Sequence, residues 1–143
     1  MLVVIAVLAA LQMPDVDRSE INCLALNVYH EARSEPLVGQ VSVANVTLNR
    51  LGKPGRPATV CGVVFERGQF SWTARPPAVT EPDAWHLAVE IAALTYSGLI
   101  PDQTGGAVHF YDHKRVRPDW AANFKTTRII RNHRFLTVKE AQQ

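Results

Sequence analysis

Long apolar runs are missing from this 143-residue chain. Nowhere do 18 or more apolar residues follow one another, which excludes a multi-span membrane protein. A dominant charge is missing too. Fifteen Lys and Arg stand against 13 Asp and Glu, and a net charge of +2 leaves no strong electrostatic footprint for duplex DNA. Cysteine is scarce: Cys23 and Cys61 form no Cys-x-x-Cys pair, which argues against a zinc ribbon or a thioredoxin-like redox site. No Gly-x-Ser-x-Gly elbow marks a serine hydrolase, and no glycine-rich loop follows a strand to cradle phosphate. His30-Glu31 begins like the zinc-binding His-Glu-x-x-His helix, but Ser34 occupies the place of the second histidine. His86, His109, His113 and His133 are otherwise scattered. No metal or other cofactor is expected.

What remains is ordinary globular material. Apolar residues make up 47% and charged residues 20%, so the chain is no disordered tract, collagen-like fibre or coiled-coil rod. Its length suits one domain with one core. If Cys23 and Cys61 pair, loop closure contributes roughly 4 kcal/mol and the compartment is oxidising. Unpaired, they are two small buried hydrophobes. Leu2 to Leu11 is a ten-residue apolar run. It has the length of a signal-peptide core without the preceding basic residues, and a packed first helix is the alternative. Membrane contact is expected only if this segment is a targeting signal.

Three helices follow from spacing. The first covers about Ser19 to Arg33, capped by Asp17 or Ser19, with Ile21, Leu24, Ala25, Val28 and Ala32 on one stripe. Glu31 lies on the edge of that stripe at the helix C-terminus, half-buried. Glu35 precedes Pro36, which takes it out of helical geometry. A second helix is expected from Pro36, at the first helical position, to about Asn49, although its many valines also allow a strand. The third runs from Asp83, as cap, to Ser97, stopped by Gly98. Strands are expected at Gly106 to Tyr111, Arg128 to Ile130 and His133 to Val138, the last two pairing across Arg131-Asn132. Helices first and strands later predict an α+β domain with a helical lobe and a small antiparallel sheet.

Glu31 is the leading chemical candidate. A carboxyl held partly out of water resists ionisation, and the negative end of a helix pushes the same way. Such a group can protonate a leaving oxygen and later take a proton back. A salt bridge to Arg33 or Arg50 is the plainer alternative. Gln69-Phe70-Ser71-Trp72 and Phe110-Tyr111-Asp112 each set a ring beside a hydrogen-bonding side chain, as carbohydrate binding requires, although Phe70 and Phe110 also suit a core. Lys114, Arg115, Arg117, Lys125, Arg128, Arg131 and Arg134 stand against Asp119 alone between His113 and Arg134. That strip suits a polyanionic partner or is a solvated face.

The stretch Leu24-Ala25-Leu26-Asn27-Val28-Tyr29-His30-Glu31-Ala32-Arg33-Ser34-Glu35-Pro36 resembles the opening of the SleB/CwlJ cell-wall hydrolase family, known from spore-cortex-lytic enzymes. The likeness continues through Gly39-Gln40-Val41, Val46-Thr47-Leu48-Asn49-Arg50, Val60-Cys61-Gly62-Val63-Val64-Phe65 and Gln69-Phe70-Ser71-Trp72. It resumes at Ala107-Val108-His109-Phe110-Tyr111 and Asn132-His133-Arg134-Phe135. It spans about residues 20 to 137. Ser34 and Arg131 stand where that family commonly has Gly, and Leu136 where it commonly has Tyr.

The resemblance implies a lysozyme-like α+β catalytic domain over residues 15–143, after an apolar segment at 1–14. Its substrate would be peptidoglycan glycan strands, cut between N-acetylmuramic acid and N-acetylglucosamine. The relatives resemble lytic transglycosylases in which one glutamate, here Glu31, serves as acid and then base. A hydrolase would need a second carboxylate or a positioned water. Gln69, Ser71, Trp72, Tyr111, His133 and Tyr29 are the expected substrate contacts. A monomer acting in the wall, periplasm or exterior, or released from a host cytoplasm during phage lysis, follows, with no nucleic-acid partner. The alternatives are a muramidase-type hydrolase, a non-catalytic murein-binding domain and a metal-dependent amidase.

Overall fold

The computed structural model describes residues 17–139; the apolar run at Leu2 to Leu11 lies outside them. Helix α1, Arg18–Ala32, starts where Asp17 accepts hydrogen bonds from the Ser19 and Glu20 amides at 3.0 and 3.3 Å. Its expected stripe is buried, and Cys23, Asn27 and Tyr29 are buried as well. The helix is therefore covered on more than one side, by α2, α3 and α4.

Helix α2, Leu37–Arg50, excludes the strand alternative. Pro36 is its N-cap rather than its first helical residue, with extended backbone at ψ 161°. Every residue from Gly39 to Thr47 is buried, so valine content reports burial here rather than a pleated edge. Gly39 is required by a close approach: a Cβ there would lie 3.2 Å from Glu35 Cβ and 3.5 Å from Ile130.

A short helix, α3 (Val60–Val64), was not anticipated, because five residues carry too little periodicity to detect. It is held from outside. Glu20 accepts the Val60 and Cys61 amides at 2.7 and 2.8 Å, and Thr59 accepts that of Gly62 at 3.0 Å. Cys61 also forms a disulfide with Cys23, which settles the open pairing. A 3-10 turn at Ser71–Ala74 follows. Helix α4, Pro82–Tyr96, begins one residue before the expected cap: Glu81 is the N-cap, Pro82 fills the first position and Asp83 lies inside the first turn. Gly98, at φ 75°, ends it. The Gly98 amide donates to Thr95 and that of Leu99 to Leu94, a left-handed cap that glycine adopts without strain.

Strands β1 (His109–Asp112), β2 (Phe124–Ile130) and β3 (His133–Val138) form an antiparallel sheet in the order β1-β3-β2. The Arg131-Asn132 hairpin is as expected, but β2 begins at Phe124 and bulges between Thr126 and Arg128. A second 3-10 turn, Asp119–Asn123, leads into it. The α+β expectation holds. One apolar cluster fills the helical lobe, and a smaller one under the sheet gathers Ala32, Val43, Val46, Ala107, Ile130 and Phe135. Phe110 packs against both and marks the seam between them.

Candidate active site

A cleft of about 660 Å³ opens along that seam. Its residues arrive from separate elements: Glu31 from the last turn of α1, Arg50 from the last turn of α2, and Gln69 and Ser71 from the approach to the 3-10 turn. Strand β1 adds Phe110, Tyr111 and Asp112, and β3 adds His133. Residues as far apart in sequence as Glu31 and His133 thus share one cavity.

Glu31 lines this cleft, and among the described residues no side chain hydrogen-bonds or ion-pairs with it. The salt-bridge alternative fails on both sides. Arg33 pairs with Glu81, and Arg50 donates from Nε to the Val108 carbonyl at 2.6 Å. Burial pushes the Glu31 carboxyl up to about 7, with the Arg50 charge pulling weakly the other way. At neutral pH this group can therefore both release and accept a proton.

The sequence offers Arg50 as a salt-bridge partner for Glu31, but the residue lines the cleft instead. It is 4% exposed, its guanidinium sits 5.4 Å from the centre of the Phe70 ring, and Nη1 has no partner. Burial and the charge of Arg56 lower its pKa to about 10. His109, beside it, falls to about 4 through burial and the same arginines, so its ring stays neutral.

His133 is 7% exposed and lies 3.9 Å from Glu35. Burial holds its pKa below the ordinary histidine value, with Glu35 opposing. Its Nδ1 is buried without a partner while the residue lines the cleft. Glu35 points into the protein, against His133 and away from the cleft lining. The second carboxylate that does reach the cleft is Asp112. In the sequence it stands beside Tyr111 as a hydrogen-bonding side chain suited to sugar, not as a second acid. Its oxygens are engaged by the Lys114 amide at 3.0 Å and by Arg115 at 3.4 Å.

Gln69, Ser71, Tyr111 and His133 therefore meet around Glu31, whereas two other expected contacts do not. Trp72 is 9% exposed, donates its indole N–H to Asn27 at 3.2 Å, and packs on His30 at 4.6 Å. Tyr29 is 1% exposed, and its hydroxyl accepts the Thr80 and Glu81 amides that lead into α4. Both are core residues, packed into the apolar cluster of the helical lobe. Among the described residues no group of three or more His, Cys, Asp or Glu could hold a metal ion.

A family model described as cell wall hydrolase matches residues 34–136. The chain belongs to that family. Among solved structures, the catalytic domain of the germination-specific lytic transglycosylase SleB from Bacillus anthracis matches with a TM-score of 0.71 and 29% identity. The match covers 87% of this chain and 99% of that one. The catalytic domain of the Bacillus cereus SleB protein follows at 0.69 and 30%, covering 85% and 91%. The cell wall hydrolase fold, helical lobe and small sheet together, is thus shared with these catalytic domains. A spore cortex-lytic enzyme of Halalkalibacterium halodurans is 35% identical over 117 residues, which is 82% of this chain and 34% of that protein. That of Bacillus subtilis is 32% identical over 117 residues, 82% and 37%. The chain spans about a third to two-fifths of the length of these relatives. The family match begins at Ser34, three residues after Glu31.

Proposed function

We propose that this chain cleaves peptidoglycan glycan strands between N-acetylmuramic acid and N-acetylglucosamine as a lytic transglycosylase. One observation carries the proposal: a single unpaired carboxyl, Glu31, half-protonated near pH 7, faces a sugar-sized cleft. Protonated Glu31 gives its proton to the glycosidic oxygen as that bond breaks. The resulting carboxylate then takes the proton of the muramic C6 hydroxyl while that oxygen closes on C1, forming a 1,6-anhydro ring. The proton gained equals the proton given, and no water enters. Arg50 faces Glu31 in its anionic stage and tempers the cost of that charge. Phe110 and Tyr111 offer apolar faces for sugar rings, and Gln69 and Ser71 offer hydrogen bonds. The Cys23–Cys61 disulfide supports action in an oxidising compartment, outside the cytoplasm.

A muramidase outcome is the second reading, favoured by one feature: Asp112 shares the cleft with Glu31 and could activate a water. Glu35 does not serve that role, since it is buried against His133.

Product analysis of digested murein by mass spectrometry separates the two. The transglycosylase leaves anhydromuramic ends; reducing ends would overturn it, and free stem peptides would overturn both. Glu31→Gln is expected to lower strand cleavage about a thousandfold, while Asp112→Asn retains anhydro products. Unchanged cleavage by Glu31→Gln sinks the proposal. Stability gives an independent check. Folded Glu31 holds its proton more tightly than the unfolded chain, whose value is near 4.5, so its stabilising contribution falls as pH rises to about 7. Glu31→Gln is therefore expected to melt higher than the native chain at pH 8.

A further inference from the structure

A second cavity of about 350 Å³ adjoins the cleft and shares Tyr111 and Val116 with it. Its remaining lining is His113, Arg117, Pro118 and Arg134, and no carboxylate is among the lining residues. The nearest acid along β1, Asp112, is already engaged by Arg115. Arg134 donates from Nη1 to Thr126 at 3.2 Å, yet its Nε is buried with no partner. The His113 Nε2 lies 2.8 Å from the Arg131 carbonyl. A carbonyl can only accept, so Nε2 carries the hydrogen and the ring is fixed in orientation. Two guanidiniums, Arg117 and Arg134, thus line one cavity that holds no opposing carboxylate, a lining whose charge suits an anionic ligand.

We propose that this cavity binds a free carboxylate of the stem peptide borne by the muramic residue whose glycan strand lies in the cleft. The inference rests on the glycan reading above. Its geometric basis is the shared wall: Tyr111 and Val116 line both cavities, so a sugar held against them would have the second cavity beside it. The site would make the enzyme prefer peptide-bearing strands over bare ones. This also gives part of the basic strip between His113 and Arg134 a defined use, where other members are spent on backbone: Arg128 on Gln103 and Arg131 on Ser34.

The test is a binding comparison that needs no turnover. The Glu31→Gln chain is titrated with sacculi free of teichoic acid, in three forms: intact, stripped of stems by an amidase, and with the stem carboxylates amidated. Intact sacculi should bind about fivefold tighter than stripped ones at low salt. The preference should fade as salt screens it, and amidated sacculi should behave like stripped ones. Adding Arg117→Gln, an exposed position, or Arg134→Gln should bring the ratio toward one. Equal binding of intact and stripped sacculi, binding to neither, or an undiminished preference in the Arg117→Gln chain would overturn the proposal. A native chain that produces no anhydro ends sinks the catalytic reading instead, and the binding ratio remains measurable.

Discussion

The two ends of α1 live in different chemical worlds. At its start, Asp17 and Glu20 each accept two backbone amides, and the disulfide ties Cys23 to α3. At its end the cleft opens. There the described residues leave buried atoms unpartnered on His30, Glu35, Arg50, His133 and, beside the second cavity, Arg134. A buried polar atom without a partner is costly, so folds retain few of them. Two of these atoms, on Arg50 and His133, belong to residues that line the cleft. The closed end supplies stability that the open end can then forgo.

The largest effect in that comparison is expected at the closed end. Replacing both cysteines with alanine removes a link across 38 residues, which costs about 4 kcal/mol by loop-closure entropy. Urea unfolding should show that loss, while kcat at 25 °C on the folded fraction stays near native. If activity fell in step with the disulfide and stability did not, the division between the two ends would be wrong.

At the open end, the readout is pH rather than stability. Glu31 must be protonated to act as an acid, so kcat/KM should fall as pH rises through about 7. Arg50 favours the ionised carboxylate, and removing its charge favours the protonated one. Arg50→Met should therefore move that falling limb upward by roughly one pH unit. Lost packing on Phe70 and the lost bond to Val108 would lower stability but cannot move a titration midpoint in this direction. An unmoved limb would show that Arg50 is merely structural.

Much of this arrangement was legible in the residues, and what was not has physical causes. Helices long enough to repeat a stripe were readable: α1, α2 and α4 fall within a residue or two of expectation. Spacing places Glu31 on the edge of an apolar stripe, where a salt bridge is the plainer use, and the family resemblance singles it out. Helix α3 was not readable, because its amides are satisfied by Glu20, 40 residues earlier. Trp72 and Tyr29 misled because residue type alone does not reveal which way a ring points. Trp72 needs Asn27 for its N–H and Tyr29 needs the Thr80 and Glu81 amides, partners visible only once the chain has folded. Arg50 and Asp112 entered the cleft through tertiary packing, and no local spacing announces that.

The smallest effect belongs to the hairpin that closes the sheet beside the site. Arg131 adopts φ 47°, a left-handed backbone that side chains with a Cβ resist, and its Nη1 donates to the Ser34 carbonyl at 3.2 Å. Ser34 and Arg131, the two positions at which the family resemblance leads one to expect glycine, therefore touch each other across the turn after Glu31. Two variants separate strain from contact. Arg131→Ala keeps the left-handed strain and loses the bond, whereas Arg131→Gly loses both. Since a left-handed turn costs a non-glycine residue about 1 kcal/mol, Arg131→Gly should exceed Arg131→Ala in urea stability by about that amount, with cleavage unchanged in both. Equal stabilities would mean that the hairpin bears no strain there, and that the contact with Ser34 alone accounts for the arginine.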